Sequence, residues 1–107
     1  MAQGPVKISS DPGQWNLHDA VLDSVRFDWK GRSCVVTLIA FLEPGRTGVP
    51  CTITFDDVDD LSVPCRRPWG RSVHVNDLTR TDDAFVIEMQ SGDPIRVTAR
   101  SARLDRT

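Results

Sequence analysis

The sequence predicts a mainly β protein: an antiparallel β-meander or sandwich of six to seven strands, with room for one short N-terminal helix. Three observations carry this. Short runs with period-2 alternation recur along the chain. Turn residues separate them. No segment after residue 22 shows a helical period. A chain of 107 residues is one domain. At this size it buries about 60% of the surface its unfolded chain exposes, enough for one core without staples.

Taken in order, residues 1–14 are rich in Gly, Pro, Ser and Asp and read as a loose arm. Trp15 to Ala20 reads as a turn or a short helix. From Leu22 the pattern is strand-like, with Val25, Phe27 and Trp29 facing one way and Ser24, Arg26 and Asp28 the other. A two-residue turn starting at Gly31 would pair Trp29 with Cys34, Phe27 with Val36 and Val25 with Leu38. The strand Cys34 to Phe41 is apolar on both faces, which predicts that it is central or covered on both sides. Cys51, Ile53 and Phe55 alternate with Thr52 and Thr54 in a third strand. Asp56, Asp57, Asp59 and Asp60 read as an acidic corner, and Leu61-Ser62-Val63 as a brief fourth strand. Arg71 to Asn76 reads as a fifth strand with Val73 and Val75 inward, and Asp77 to Ala84 as a polar loop.

The clearest feature is the hairpin Phe85 to Arg100. Phe85, Ile87 and Met89 alternate with Glu88 and Gln90; Ile95, Val97 and Ala99 alternate with Arg96, Thr98 and Arg100. Both apolar sets are odd-numbered, so the loop must hold an odd number of residues. A three-residue loop Ser91-Gly92-Asp93 would set Glu88 opposite Arg96 and Ile87 opposite Val97. The domain then spans residues 15–100, with 101–107 as a flexible tail.

The net charge of −2 argues against a strongly basic nucleic-acid binder. Three cysteines, Cys34, Cys51 and Cys65, form no C-x-x-C pair, and no apolar stretch resembles a signal peptide or membrane span. The expectation is a cytoplasmic protein with reduced thiols. Arginine outnumbers lysine eleven to two, which fits a GC-rich bacterial genome.

Ser72, His74 and Asn76 share one strand face, but neighbours on a flat strand rarely form a nucleophile–base pair. No catalytic residue is assigned. The Cys and His residues lack the close spacing of structural zinc ligands, and no metal or other cofactor is expected. The acidic corner fails the calcium-loop pattern, because Leu61 and Arg67 stand where Gly and Glu are required. Its charges can be balanced by Arg66 and Arg67, or can meet a basic partner. Trp69, among Arg66, Arg67 and Arg71, reads as a core plug between Pro68 and Gly70; its alternative is stacking on bases. His18-Asp19 reads as a structural turn.

Leu17-His18-Asp19-Ala20, Pro68-Trp69-Gly70-Arg71-Ser72 and Ile87-Glu88-Met89-Gln90-Ser91-Gly92-Asp93 together resemble a group of small bacterial β-rich proteins of uncharacterised function. Some of these resemble immunity proteins that neutralise toxins in interbacterial competition. The resemblance spans most of residues 15–100 and implies a bacterial cytosolic domain that binds protein. It carries no catalytic residues with it.

Three functions follow, in order. The first is a non-enzymatic protein-binding domain of immunity or adaptor type, engaging another protein and open to homodimerisation through an edge strand. The second is a small-ligand-binding or catalytic β domain using Ser72, His74, Asn76, Glu88, Gln90 and Arg96. The third is a nucleic-acid binder using Arg66, Arg67, Trp69, Arg71 and the arginines of the tail, ranked last on charge. No membrane association is expected.

Overall fold

The computed structural model describes residues 6–9, 11, 15–43, 45 and 47–107. Among them the structure is all-β and antiparallel, with seven strands and no helix. They are β1 (Val6–Ser9), β2 (Val21–Asp28), β3 (Ser33–Ala40), β4 (Val49–Ser62), β5 (Val75–Thr81), β6 (Ala84–Met89) and β7 (Pro94–Arg106). The spatial order is β2-β3-β4-β7-β6-β5, with β1 beside the end of β7. No helix of the described residues is long and apolar enough to cross a membrane.

Two three-stranded meanders, β2-β3-β4 and β5-β6-β7, lie side by side and are joined by the long β4–β7 pair. The starts of the two outer strands also meet. Asp19 N–H donates to Val75 O, Val75 N–H to Ala20 O, and Leu22 N–H to Val73 O, each at 2.8 Å. These bonds close the path of strands on itself, which the twist of antiparallel sheets allows. They also cover the first part of both outer edges. Trp15 to Ala20 is not helical; it is a turn in which Asp19 has φ 64° and Ala20 N–H reaches Leu17 O.

The core follows the alternation. Cys34, Val36, Leu38 and Ala40 are buried on β3, opposite Cys51, Ile53 and Phe55 on β4. Phe85, Ile87 and Met89 of β6 and Ile95, Val97 and Ala99 of β7 complete it. The rings of Phe55 and Phe85 meet at 5.3 Å between centroids, joining the two meanders.

Both hairpin registers differ from expectation by two residues. In the first, Phe27 pairs with Cys34 and Val25 with Val36, leaving a four-residue loop from Trp29 to Arg32. Asp28 Oδ1 accepts from Lys30 N–H and Gly31 N–H, an Asx turn that favours the wider loop. Trp29 therefore stands at the tip, 85% exposed. In the second, Ile87 pairs with Ile95 and Glu88 with Pro94, while Val86 faces Arg96. Glu88 and Arg96 are thus not opposite one another. A shift of two preserves the facing of every side chain, so the core assignments survive it.

Four segments read as arm, loop or tail are strand, the first being residues 6–9 of the expected loose arm, which form β1 and pair with β7. Residues 56–60 are not a corner but the middle of the 14-residue β4, where Asp57 has φ 54° and the register slips between Val58 and Asp60. Residues 77–81 belong to β5, which turns into β6 through Asp82 and Asp83 alone. Residues 101–106 continue β7, with Ala102, Leu104 and Asp105 buried. Conversely, residues 71–73 lie before β5, and Val73 is 54% exposed instead of inward.

Candidate functional site

Between β4 and β5 the chain runs as an irregular strap over residues 63–74. Backbone outside a ladder still needs hydrogen-bond partners. The β6–β7 turn supplies them through one carboxylate. Asp93 Oδ1 accepts from Arg66 N–H at 2.8 Å, and Asp93 Oδ2 accepts from Arg67 N–H at 3.0 Å and from Ser91 Oγ–H at 2.8 Å. Trp69 N–H donates to Ser91 O at 2.9 Å. Asp93 is only 5% exposed. Its burial acts most strongly and disfavours the charge. The Ser91 hydroxyl, the Arg66 and Arg67 N–H groups and the Arg67 charge together outweigh that, and hold the carboxyl below its ordinary value.

This anchoring fixes the base of Trp69 while its side chain is 78% exposed. Trp69 is therefore not a core plug. Its ring lies against Gly92: a Cβ there would come within 2.8 Å of Trp69 Cδ2 and 2.7 Å of Pro68 Cγ. Gly92 also has φ 92°, where a side chain is strained. Trp69, Asn76, Glu88 and Pro94 line a cavity of about 260 Å³.

The charges sort differently from their order in sequence. Asp59 Oδ1 is 2.7 Å from Arg32, Asp56 Oδ2 is 3.5 Å from Arg103, and Asp57 Oδ2 is 4.0 Å from Arg100. The expected balance of these aspartates by Arg66 and Arg67 is overturned, because β4 pairs with β7 and turns its acidic stretch toward β7 arginines. Arg66, Arg67 and Arg71 are exposed and make no contact ion pair among the described residues.

The Ser72, His74 and Asn76 row is drawn into the seam between β2 and β5. Ser72 Oγ accepts from the His74 backbone N–H at 3.1 Å, so the serine is not paired with the imidazole. His74 Nδ1 lies 3.0 Å from Asp19 O, and His18 Nδ1 lies 2.9 Å from Asn76 O. A carbonyl only accepts, so each Nδ1 carries a proton, and His18 Nε2 lies 3.6 Å from Asp19 Oδ2. Gln90 Nε2–H donates to Asp19 Oδ1 at 2.6 Å and to Val75 O at 3.3 Å. His18, Asp19, Phe41, His74 and Gln90 line an open depression of about 480 Å³. His18, Asp19 and Phe41 are additions that sequence reasoning missed; His18-Asp19 was visible, but its meeting with Gln90 spans 71 positions.

Glu88 and Arg96 join neither His74 nor one another; Arg96 lies across from Val86 and Ser62. Among the described residues no group of three or more His, Cys, Asp or Glu is arranged to hold a metal ion. Cys34 and Cys51 are buried, and burial raises both thiol pKa values, opposed at Cys51 by the Arg106 charge; Cys65 is exposed on the strap. Scans against protein-family models, curated proteins and solved structures give no match for the chain.

Proposed function

We propose that this chain is a non-enzymatic protein-binding domain, of immunity or adaptor type, working in the bacterial cytoplasm. The observation that carries the reading is the pairing of exposure with anchoring at Trp69. The ring is 78% exposed, yet its backbone is tied to Ser91 and its strap to the buried Asp93. Tryptophan and arginine dominate the energetics of protein interfaces, and a pre-ordered anchor loses little entropy on binding. Three free cysteines and the resemblance to small bacterial proteins support the compartment. A photo-crosslinking amino acid at position 69, expressed in the bacterial host, tests the reading. A discrete protein adduct, absent with the crosslinker at exposed Lys30, supports it; no adduct specific to position 69 overturns it.

A second reading is favoured by the seam depression, where two imidazoles offer Nε2 beside Asp19 and Gln90. It makes the seam a small-ligand site. Chemical-shift mapping with a fragment library decides it: shifts clustered on His18, His74 and Gln90 support a ligand site, and none there removes it.

A further inference from the structure

We propose that the partner segment seated on the Trp69 strap is acidic, an Asp/Glu-bearing protein segment with an apolar side chain for the tryptophan. The inference rests on the protein-binding reading above and goes further by naming the partner's chemistry.

The fold sorts charge in a way that leaves the strap positive. From Leu61 to Asn76 there is no Asp or Glu, while Arg66, Arg67 and Arg71 all lie within three residues of Trp69. The nearest acidic stretch in sequence is held by Arg32, Arg100 and Arg103 instead. The Arg67 charge is partly answered by the buried Asp93 carboxylate beneath the strap, whereas exposed Arg66 and Arg71 make no contact ion pair among the described residues, on a chain whose net charge is −2. Guanidinium groups bind carboxylates through two parallel hydrogen bonds, which suits Asp and Glu side chains spaced along a peptide. Exposed Val63 and Val73 at the strap's ends add apolar contact.

Phosphate could also answer three arginines and an aromatic ring. Glu88 weighs against it, because its carboxylate lines the same cavity as Trp69 and would repel a nucleic-acid backbone. The surrounding acidic chain extends that repulsion, whereas a peptide can direct its carboxylates to the arginines and its apolar side chain to the ring.

The test uses the full chain and four labelled probes. Three are peptides of equal length and leucine content, carrying glutamate, lysine or serine at the variable positions; the fourth is oligothymidylate. The variants are Arg66→Glu with Arg71→Glu, and Trp69→Ala, each checked for native circular dichroism. Conversion of both arginines to glutamine serves as a milder second variant. The glutamate peptide is expected to bind about tenfold or more tightly than the serine peptide. That preference is expected to vanish with charge reversal, shrink with glutamine, and fade as salt rises. Trp69→Ala weakens binding of the glutamate peptide about tenfold or more. Equal, Trp69-dependent binding of the glutamate and serine peptides overturns the acidic partner and leaves the protein-binding reading standing, as does preference for the lysine peptide. Preference for oligothymidylate overturns both, and so does the absence of Trp69-dependent binding to any peptide.

Discussion

His18 and His74 clasp the seam between β2 and β5 reciprocally. His18, ahead of β2, donates Nδ1–H to the carbonyl of Asn76; His74, ahead of β5, donates Nδ1–H to the carbonyl of Asp19, the residue next to His18. Each imidazole satisfies the backbone of the opposite side, flanking the main-chain bonds between Asp19, Ala20 and Val75. The two histidines most inviting to catalytic interpretation are therefore accounted for first as closure of the fold.

Removing either imidazole is expected to loosen that closure. His18→Ala and His74→Ala should each cost about 1 kcal/mol, the net worth of one hydrogen bond. Urea unfolding reads this as a lower midpoint with an unchanged slope. A double variant whose loss departs from the sum of the single losses identifies the clasp as one coupled unit.

Acid should release the strap. Asp93 has its pKa lowered in the folded chain, so between that value and the unfolded carboxylate value of about 3.9 the unfolded state binds more protons. The carboxylate's contribution is fully present above the unfolded value and disappears as pH falls through the folded one. Unfolding of the parent chain and of Asp93→Asn, followed from neutral to strongly acidic pH, should show this limb in the parent alone. The neutral-pH stability of Asp93→Asn should also be lower, because the amide offers one acceptor oxygen to a site using two.

Gly92→Ala is expected to destabilise by about 1–3 kcal/mol, the range for a side chain forced into the left-handed region. The added methyl also meets Pro68 and Trp69. Thermal unfolding measures the loss, and faster hydrogen exchange at the Trp69 amide reports release of the strap from Ser91.

Thiol labelling should separate the three cysteines. Cys65 is exposed, whereas Cys34 and Cys51 are buried with raised pKa values. One thiol should react with Ellman's reagent in the native state and two more only after unfolding.

The end of the chain should behave as core. Leu104 is fully buried opposite Ile53. Leu104→Ala is expected to cost about 2–5 kcal/mol, and deletion of residues 101–107 to abolish cooperative unfolding. Near-native stability of the truncated chain would contradict the pairing of β7 with β4.

The sequence by itself determined the all-β class and the facing of the core side chains, while β3, expected to be central or covered on both sides, stands second from the end of the strand path with Ile39 exposed. Class and facing depend on two-residue alternation, which is local and survives a register shift of two. It lost the thread wherever the alternation changes phase. Phe55 is followed inward by Val58, Val75 by Leu78, and Ala99 by Ala102, each an odd step. The second step spans a register slip between Val75 and Asp77; the first and third lie opposite one another, with Phe55 facing Ala102 and Val58 facing Ala99, just before β4 slips between Val58 and Asp60. A slip of this kind is set by the strand alongside, so it cannot be read from one strand alone. The same limit applied to the site. Trp69, His74 and Gln90 were visible singly, but only the tertiary structure decided that Asp93 holds the strap, that Trp69 faces solvent, and that Gln90 reaches Asp19. Those relationships are hydrogen bonds and charge pairings across tens of residues, where chain topology and not local pattern chooses the partner.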